Sequence, residues 1–243
     1  MRIGRLALFP ILAFLSAHAQ DAPPPPQPPA SATAAQPVID HELDDLLAKA
    51  TQATAAGDKL SALRFLESAL QRVQKVSAPK ERETDVLGRL GKAYLEVQRP
   101  ADALRTYRIL LEEMKADCGL AAMADRCADA QYGMASAQMY AGDFKSAVPI
   151  LRRAVANYAL VVKGGYAEDY RMNKLKQQAD AQSLLAAALF RTGNKADGIA
   201  AFERAIQQFS EVLKNASTPA NLRASAESSL KDAQTSLDLL KKN

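Results

Sequence analysis

The feature that most constrains the fold of this 243-residue chain is a helical unit with a tight turn at its centre, which occurs four times. The turns fall near residues 57, 98, 142 and 193. Three of them contain Gly followed by Asp or Asn, and the turn at Gln98 is followed instead by Arg99 and Pro100. Gly suits the left-handed residue that ends a helix, whereas Asp, Asn or Pro suits the start of the next helix. The repetition therefore predicts stacked antiparallel helix pairs.

After each turn, small and large side chains alternate at steps of four and three residues. The four copies are Ala62, Leu66 and Ala69; Ala103, Tyr107 and Leu110; Ala147, Leu151 and Ala154; and Gly198, Phe202 and Ala205. Small side chains let two helices approach closely, and the large one fills the space between neighbouring pairs. Good helix formers dominate the composition and β-branched residues are sparse, so the chain is predicted to be all-α.

The unit resembles the tetratricopeptide repeat, most clearly in its second copy. The residues at that family's spacings are Leu87, Leu90, Gly91, Tyr94, Ala103 and Tyr107, whereas Ala50, Ala135 and Ala186 replace Gly91 in the other copies. The likeness covers about residues 40 to 215. It implies a right-handed α-solenoid of about four antiparallel helix pairs with a concave binding face, and it transfers no functional residue.

The turns are about 41, 44 and 51 residues apart, which exceeds the family's period of roughly 34 and predicts longer helices and connections. Apolar residues at helical spacing beyond Pro219 predict a capping helix over residues 220–240. Pro149 interrupts the second helix of the third pair. We expect that helix to begin at Ser146, because Pro149 would then lie in the first turn, where no amide needs a partner.

Residues 1–19 have the pattern of a cleaved signal peptide. Arg2 and Arg5 precede a run of apolar residues that is too short to anchor the chain in a bilayer. The sequence from Ala17 to Ala19 matches the small-x-small cleavage motif, so the mature chain is expected to begin at Gln20 without an integral membrane segment. A retained N-terminal anchor is the alternative.

Residues 20–38 are rich in Pro and Ala and predict a disordered linker, with a PxxP ligand as the alternative. The folded domain is predicted over residues 39–243. Loss of the signal peptide would lower the formal net charge from +4 to about +2. Since acidic and basic residues are interspersed, a nucleic-acid partner is not expected.

The sequence offers little that could perform catalysis. His41 is the single histidine after signal cleavage, so neither a zinc site of ordinary spacing nor a Ser-His or Cys-His pair can be proposed. No Gly-rich stretch leads into a phosphate-binding Lys-Ser or Lys-Thr. We therefore predict a protein that is not an enzyme and has no cofactor and no metal site.

The chain contains two cysteines, Cys118 and Cys127. On one continuous helix they would lie about 13.5 Å apart, which is too far for a disulfide. Gly119 supplies a break in the helix between them. For an exported chain, we therefore predict a structural disulfide that staples the second repeat to the third.

Family spacing places a set of side chains on the concave face as tentative partner-binding residues. They are Asp85, Lys92, Asp129, Tyr132, Ser136, Met139, Tyr140, Asp180 and Phe190. With Asp44, three of them form a row of Asp residues thirteen positions before each turn. The row either meets cationic groups of a partner or compensates helix dipoles in first turns. The aromatic residues and Met139 either contact a partner or pack against the next repeat or the capping helix.

Taken together, these patterns predict a non-catalytic scaffold of the periplasm or of the space outside the cell. Its concave groove would bind a peptide or helix of a partner protein. The alternative is a self-assembling structural or envelope-organising element tethered by the Pro-rich segment, so a homo-oligomer stays open.

Overall fold

The structure is a computed structural model that describes residues 40–242. These residues form α1 (His41–Ala55), α2 (Lys59–Lys75), α3 (Lys80–Glu96), α4 (Pro100–Glu113), α5 (Ala124–Tyr140), α6 (Phe144–Val162), α7 (Glu168–Arg191), α8 (Lys195–Lys214) and α9 (Ala220–Lys242). A 3₁₀ turn, Ala121–Met123, precedes α5. Within this part of the chain there is no strand, and consecutive helices pack on one another. The predicted all-α solenoid of four pairs and a final helix is confirmed. The predicted signal peptide and linker lie outside the described residues.

The four turns within the pairs share one backbone conformation. Gly57, Gly142 and Gly193 have φ angles of 76°, 81° and 87°, and Gln98 takes the same place with φ 59°. In each turn this residue donates its amide to the carbonyl three residues back, and the next amide bonds five residues back. These bonds satisfy two carbonyls at the helix end. Pro100 begins α4 as expected, but the turning residue is Gln98, at a cost of about 1 kcal/mol relative to Gly.

The start of α6 differs from the expectation. Asp143 is the N-cap, and its Oδ1 accepts a hydrogen bond from the Ser146 amide at 3.1 Å. The helix therefore begins at Phe144, and the prediction that Pro149 lies in the first turn was wrong. Pro149 lies inside α6 on its exposed side, where it cannot donate to the Lys145 carbonyl.

Small side chains form the contacts between helices. Every residue of the alternating small and large pattern is buried, and the alanines fully excluded from solvent include Ala69, Ala103, Ala147, Ala154 and Ala205. Without a side chain beyond Cβ, two helix backbones can approach closely over these positions. The large residues then fill the space between successive pairs, which gives one continuous apolar core.

The ring of Tyr107 on α4 shows how tight this packing is. A Cβ atom added to Gly91 on α3 would lie 2.7 Å from Cζ of Tyr107, and one added to Gly133 on α5 would lie 2.2 Å from it. The ring thus fills the space between two helices at positions where only glycine fits. Gly88 on α3 is different, because an added Cβ would meet nothing closer than Cδ2 of Leu110, at 3.7 Å.

These distances predict opposite effects of two substitutions. Gly133→Ala should lower the free energy of unfolding by about 1–3 kcal/mol, since Tyr107 is too enclosed to move away. Gly88→Ala should raise it by up to about 1 kcal/mol, because alanine favours the helix and meets no obstruction. Urea unfolding followed by circular dichroism measures both values. Equal stability of the two variants would contradict this packing.

Cys118 and Cys127 are joined by a disulfide in the structure, with their Cα atoms 5.6 Å apart. The chain leaves α4 after Glu113 and enters α5 at Ala124, and the turns between them fold Cys118 back onto Cys127. Cys127 is fully buried. The bridge closes the connection between the second and third pairs.

We predict that the native protein contains no free thiol. Its mass should shift on alkylation only after reduction, and reduction should lower the free energy of unfolding by about 2–3 kcal/mol. The double variant Cys118→Ala and Cys127→Ala is the control, since a reductant should not change its stability. Two alkylated cysteines in unreduced native protein would overturn the prediction.

Candidate protein-binding groove

A groove of about 700 Å³ runs across the first helices of the second, third and fourth pairs, α3, α5 and α7, and reaches the start of α9. Stacking of the pairs places these first helices side by side, while α4 and α6 contribute the floor from behind. Six of the predicted partner-binding residues line this groove: Asp85, Lys92, Asp129, Tyr132, Ser136 and Asp180.

The other three predicted residues do not line the groove. Met139 and Phe190 pack against the core of the third and fourth pairs. Phe190 does so because α8 lies close to α7 at Gly198, where an added Cβ would be 3.7 Å from the Phe190 Cβ. Tyr140 is 73% exposed at the end of α5. For Met139 and Phe190 the packing alternative holds.

The row of Asp residues is not a row of free carboxylates. Asp44, which does not line the groove, bonds to Arg82 with an N–O distance of 2.6 Å. Asp180 pairs with Lys176 at 2.8 Å. Asp85 is exposed and has no ion pair or hydrogen bond among the described residues. Compensation of a helix dipole fits Asp44, but the other three Asp residues lie beyond the first turns of their helices.

Asp129 belongs to a network that joins α5, α6 and α7. Its Oδ1 accepts a hydrogen bond from the Tyr158 hydroxyl at 2.5 Å, and its Oδ2 lies 3.6 Å from Nζ of Lys174. Lys174 is 6% exposed, and its Nζ lies 2.5 Å from Asp125. Tyr170 donates its hydroxyl hydrogen to Asp125 and stacks its ring near the same ammonium group. One buried cation thus holds two carboxylates on the neighbouring helix.

The pKa values of the groove carboxylates follow from this enclosure. Removal from bulk water raises the pKa of Asp129, and the Tyr158 hydroxyl and the Lys174 ammonium counteract part of that rise. Half of the Asp129 side chain stays open to the groove, so the rise is limited by solvent. The pKa of Asp180 is raised mainly by burial as well, against the lowering effect of Lys176.

The search of the sequence missed two guanidinium groups at the edge of the groove. Arg89 on α3 donates to the Thr51 hydroxyl at 2.7 Å, and Arg126 on α5 donates to the Thr84 hydroxyl at 2.6 Å. Arg126 lies sixteen residues before its turn, as Arg82 does before the preceding turn. The spacing rule that revealed the Asp residues would therefore have found Arg126, whereas Arg89 carries no such signal.

The described helices show no membrane-spanning character: none of those between residues 40 and 242 combines the length and apolarity needed to cross a bilayer. In the same range, no group of three or more His, Cys, Asp and Glu side chains is arranged to hold a metal ion.

The sequence model of the tetratricopeptide repeat family matches residues 89–159 and 132–212, which together make up just over half of the chain. The chain belongs to the tetratricopeptide repeat family. The resemblance seen in the sequence is thereby confirmed. A comparison with curated proteins found no match.

Solved structures share the solenoid at low sequence identity. A Podosopora anserina protein described as a kinesin light chain with nearly identical TPR-like repeats has a TM-score of 0.59 and 17% identity, over 84% of this chain and 96% of that one. BtubC from P. vanneervenii has a TM-score of 0.56 and 17% identity, over 82% and 78%. MamA from Desulfovibrio magneticus RS-1 has a TM-score of 0.51 and 16% identity, over 84% and 97%.

The tetratricopeptide fold is typically a non-catalytic module for protein interaction, so this repeat protein has the fold of a protein-interaction scaffold. Its partners are accordingly expected to be proteins. The groove across α3, α5 and α7 is the concave surface that such a fold offers to them.

The Lys174 network predicts a stability defect that depends on pH. Lys174→Met should lower the free energy of unfolding at pH 7 by about 2 kcal/mol, less than for a fully buried pair because Asp129 stays half exposed. Without the cation, the pKa of Asp129 in the folded state rises further above its unfolded value of about 3.9. A raised folded pKa favours folding at low pH, so the defect should shrink as the pH falls from 7 towards 4.

Urea unfolding of this variant at a series of pH values measures the effect. Lys49→Met on α1 is the matched control, because Lys49 forms an exposed ion pair with Asp45, and its loss should change stability by less than about 0.5 kcal/mol at every pH. A Lys174→Met defect that is constant with pH would exclude the network as its cause.

Proposed function

We propose that this tetratricopeptide repeat protein is an exported, non-catalytic scaffold that binds a peptide or helix of another protein in the groove of α3, α5 and α7. The groove carries the proposal, because it crosses three successive pairs and has room for a peptide segment. Its walls combine charged, amide and aromatic side chains with exposed glycines, which suits recognition of a polypeptide.

The last helix supports binding over self-assembly through that end of the solenoid. Leu222, Leu237 and Leu240 of α9 are buried against the preceding pair. The exposed positions of α9 carry mainly Ser, Glu, Lys, Asp, Gln and Thr, with Leu239 as the large apolar exception. A polar outer face is what a capping helix needs to stop further copies from stacking.

Export to the periplasm or to the outside of the cell is the second part of the proposal. The positively charged start of the chain, the short apolar run and the cleavage motif ending at Ala19 support it. The disulfide between Cys118 and Cys127 is consistent with it, because such bonds persist in oxidising compartments.

Affinity capture from the native cell envelope tests both parts. The full chain with a C-terminal tag is purified without reductant, and bound proteins are identified by mass spectrometry. A groove variant, Ser136→Arg with Asn173→Arg, should lose the partner by roughly tenfold or more, because two long side chains then occupy the groove. N-terminal sequencing of the captured chain should read from Gln20.

The matched control adds the same charge and bulk elsewhere. Ser228→Arg with Gln234→Arg changes exposed positions of α9 outside the groove and should keep the partner. Equal recovery with groove and control variants would overturn binding in the groove. A complex that contains only copies of this chain would favour the self-assembling element, and a mature chain that begins at Met1 would overturn cleavage and export.

A further inference from the structure

We infer that the groove between α3 and α5 contains a pocket for one large apolar side chain of an acidic peptide segment. This inference rests on the proposed function and names the chemistry of the partner. The Gly88 pocket, as we call it, has Gly88 and Gly133 on its walls and Tyr107, Leu110 and Met114 of α4 on its floor.

The floor of the Gly88 pocket is apolar and deep. Tyr107, Leu110 and Met114 are only 5%, 4% and 2% exposed, yet all three line the groove. They belong to the core of the second and third pairs, so the pocket reaches the core. An apolar side chain inserted there would gain roughly 25 cal/mol for each Å² that it removes from water.

Gly88 is the residue that keeps this pocket open. The backbone conformation does not require glycine there, since Gly88 lies within α3, and no atom lies closer than 3.7 Å to an added Cβ. Glycine inside a helix costs up to about 1 kcal/mol relative to alanine. Gly133 has a packing reason in the Tyr107 ring, whereas Gly88 has none. The effect of Gly88 is instead to leave Leu110 uncovered from the groove side.

The floor also offers one polar group. The Tyr107 hydroxyl lies where a side chain of Gly133 would point, and it makes no hydrogen bond within residues 40–242. A mostly buried tyrosine usually has a partner for its hydroxyl. In the pocket, this hydroxyl can donate to a backbone carbonyl of a bound segment.

The rim of the Gly88 pocket carries an excess of positive charge. Arg89 and Arg126 bond only to neutral oxygens, among them the hydroxyls of Thr51 and Thr84. Lys92 points into solvent with 73% of its side chain exposed, and its Nζ lies 3.9 Å from Glu96.

Two carboxylates also lie at this part of the groove. Asp129 is already bonded to Tyr158 and lies near Lys174, so Asp85 is the acid that remains to balance three cations. Cations on both walls would meet acidic residues on both sides of an inserted apolar side chain. This part of the groove thus attracts anions, in contrast to the acidic row inferred from the sequence.

A library of random ten-residue peptides displayed on phage, selected on the purified disulfide-bonded chain, tests the inference. Enriched peptides should carry Asp or Glu around one Leu, Ile, Met or Phe, and their affinity should fall with added salt. Gly88→Leu should weaken these peptides roughly tenfold or more by filling the pocket. Lys92→Glu should also weaken them and reduce the salt dependence.

Two controls keep the test independent of folding. Circular dichroism and urea unfolding show whether Gly88→Leu stays folded, and Lys145→Glu on the exposed side of α6 should leave the peptide affinities unchanged. Enrichment of basic peptides, enrichment without an apolar residue, no enrichment, or equal binding by the folded Gly88→Leu variant would each overturn the pocket. If the envelope partner is lost only from the Ser136→Arg and Asn173→Arg variant, groove binding stands and the pocket does not.

Discussion

The close approach of helices over alanine and glycine is the constraint on which the rest of this solenoid depends. Each second helix presents a small, a large and usually another small residue, and the small ones are fully or almost fully buried. If these side chains were larger, neighbouring pairs would separate and the first helices would no longer form one continuous wall. Tyr107 is the extreme case, since its ring fills the space between Gly91 and Gly133. The groove is therefore a consequence of the packing behind it.

Local and repeated features could be predicted from the sequence. Gly57, Gly142 and Gly193 occupy left-handed turns, and Asp143 caps the following helix, because such preferences depend on a few neighbouring residues. The same rules misplaced the start of α6 where the preference of Pro149 for a first turn competed with the Asp143 cap. At that position the side-chain hydrogen bond to Ser146 determined where the helix begins.

The contents of the groove could be predicted only in part. Register alone placed Asp85, Lys92 and Tyr132 on its walls. Register could not show that Lys174 lies beside Asp125, because that contact depends on the distance between α5 and α7. Nor could it separate Gly88 from Gly133. Both are glycines within helices, and their difference lies in which α4 side chain faces each of them.

Two kinds of bond set the spacing between neighbouring parts of the groove. A covalent bridge closes the link between the second and third pairs, beside the walls α3 and α5, and an ionic network joins α5 to α7. A change of redox potential acts on the first and leaves the second untouched. Acid acts on the second, by neutralising carboxylates, and leaves the first intact. The two halves of one binding surface can therefore be loosened separately, each by a different change in the surrounding compartment.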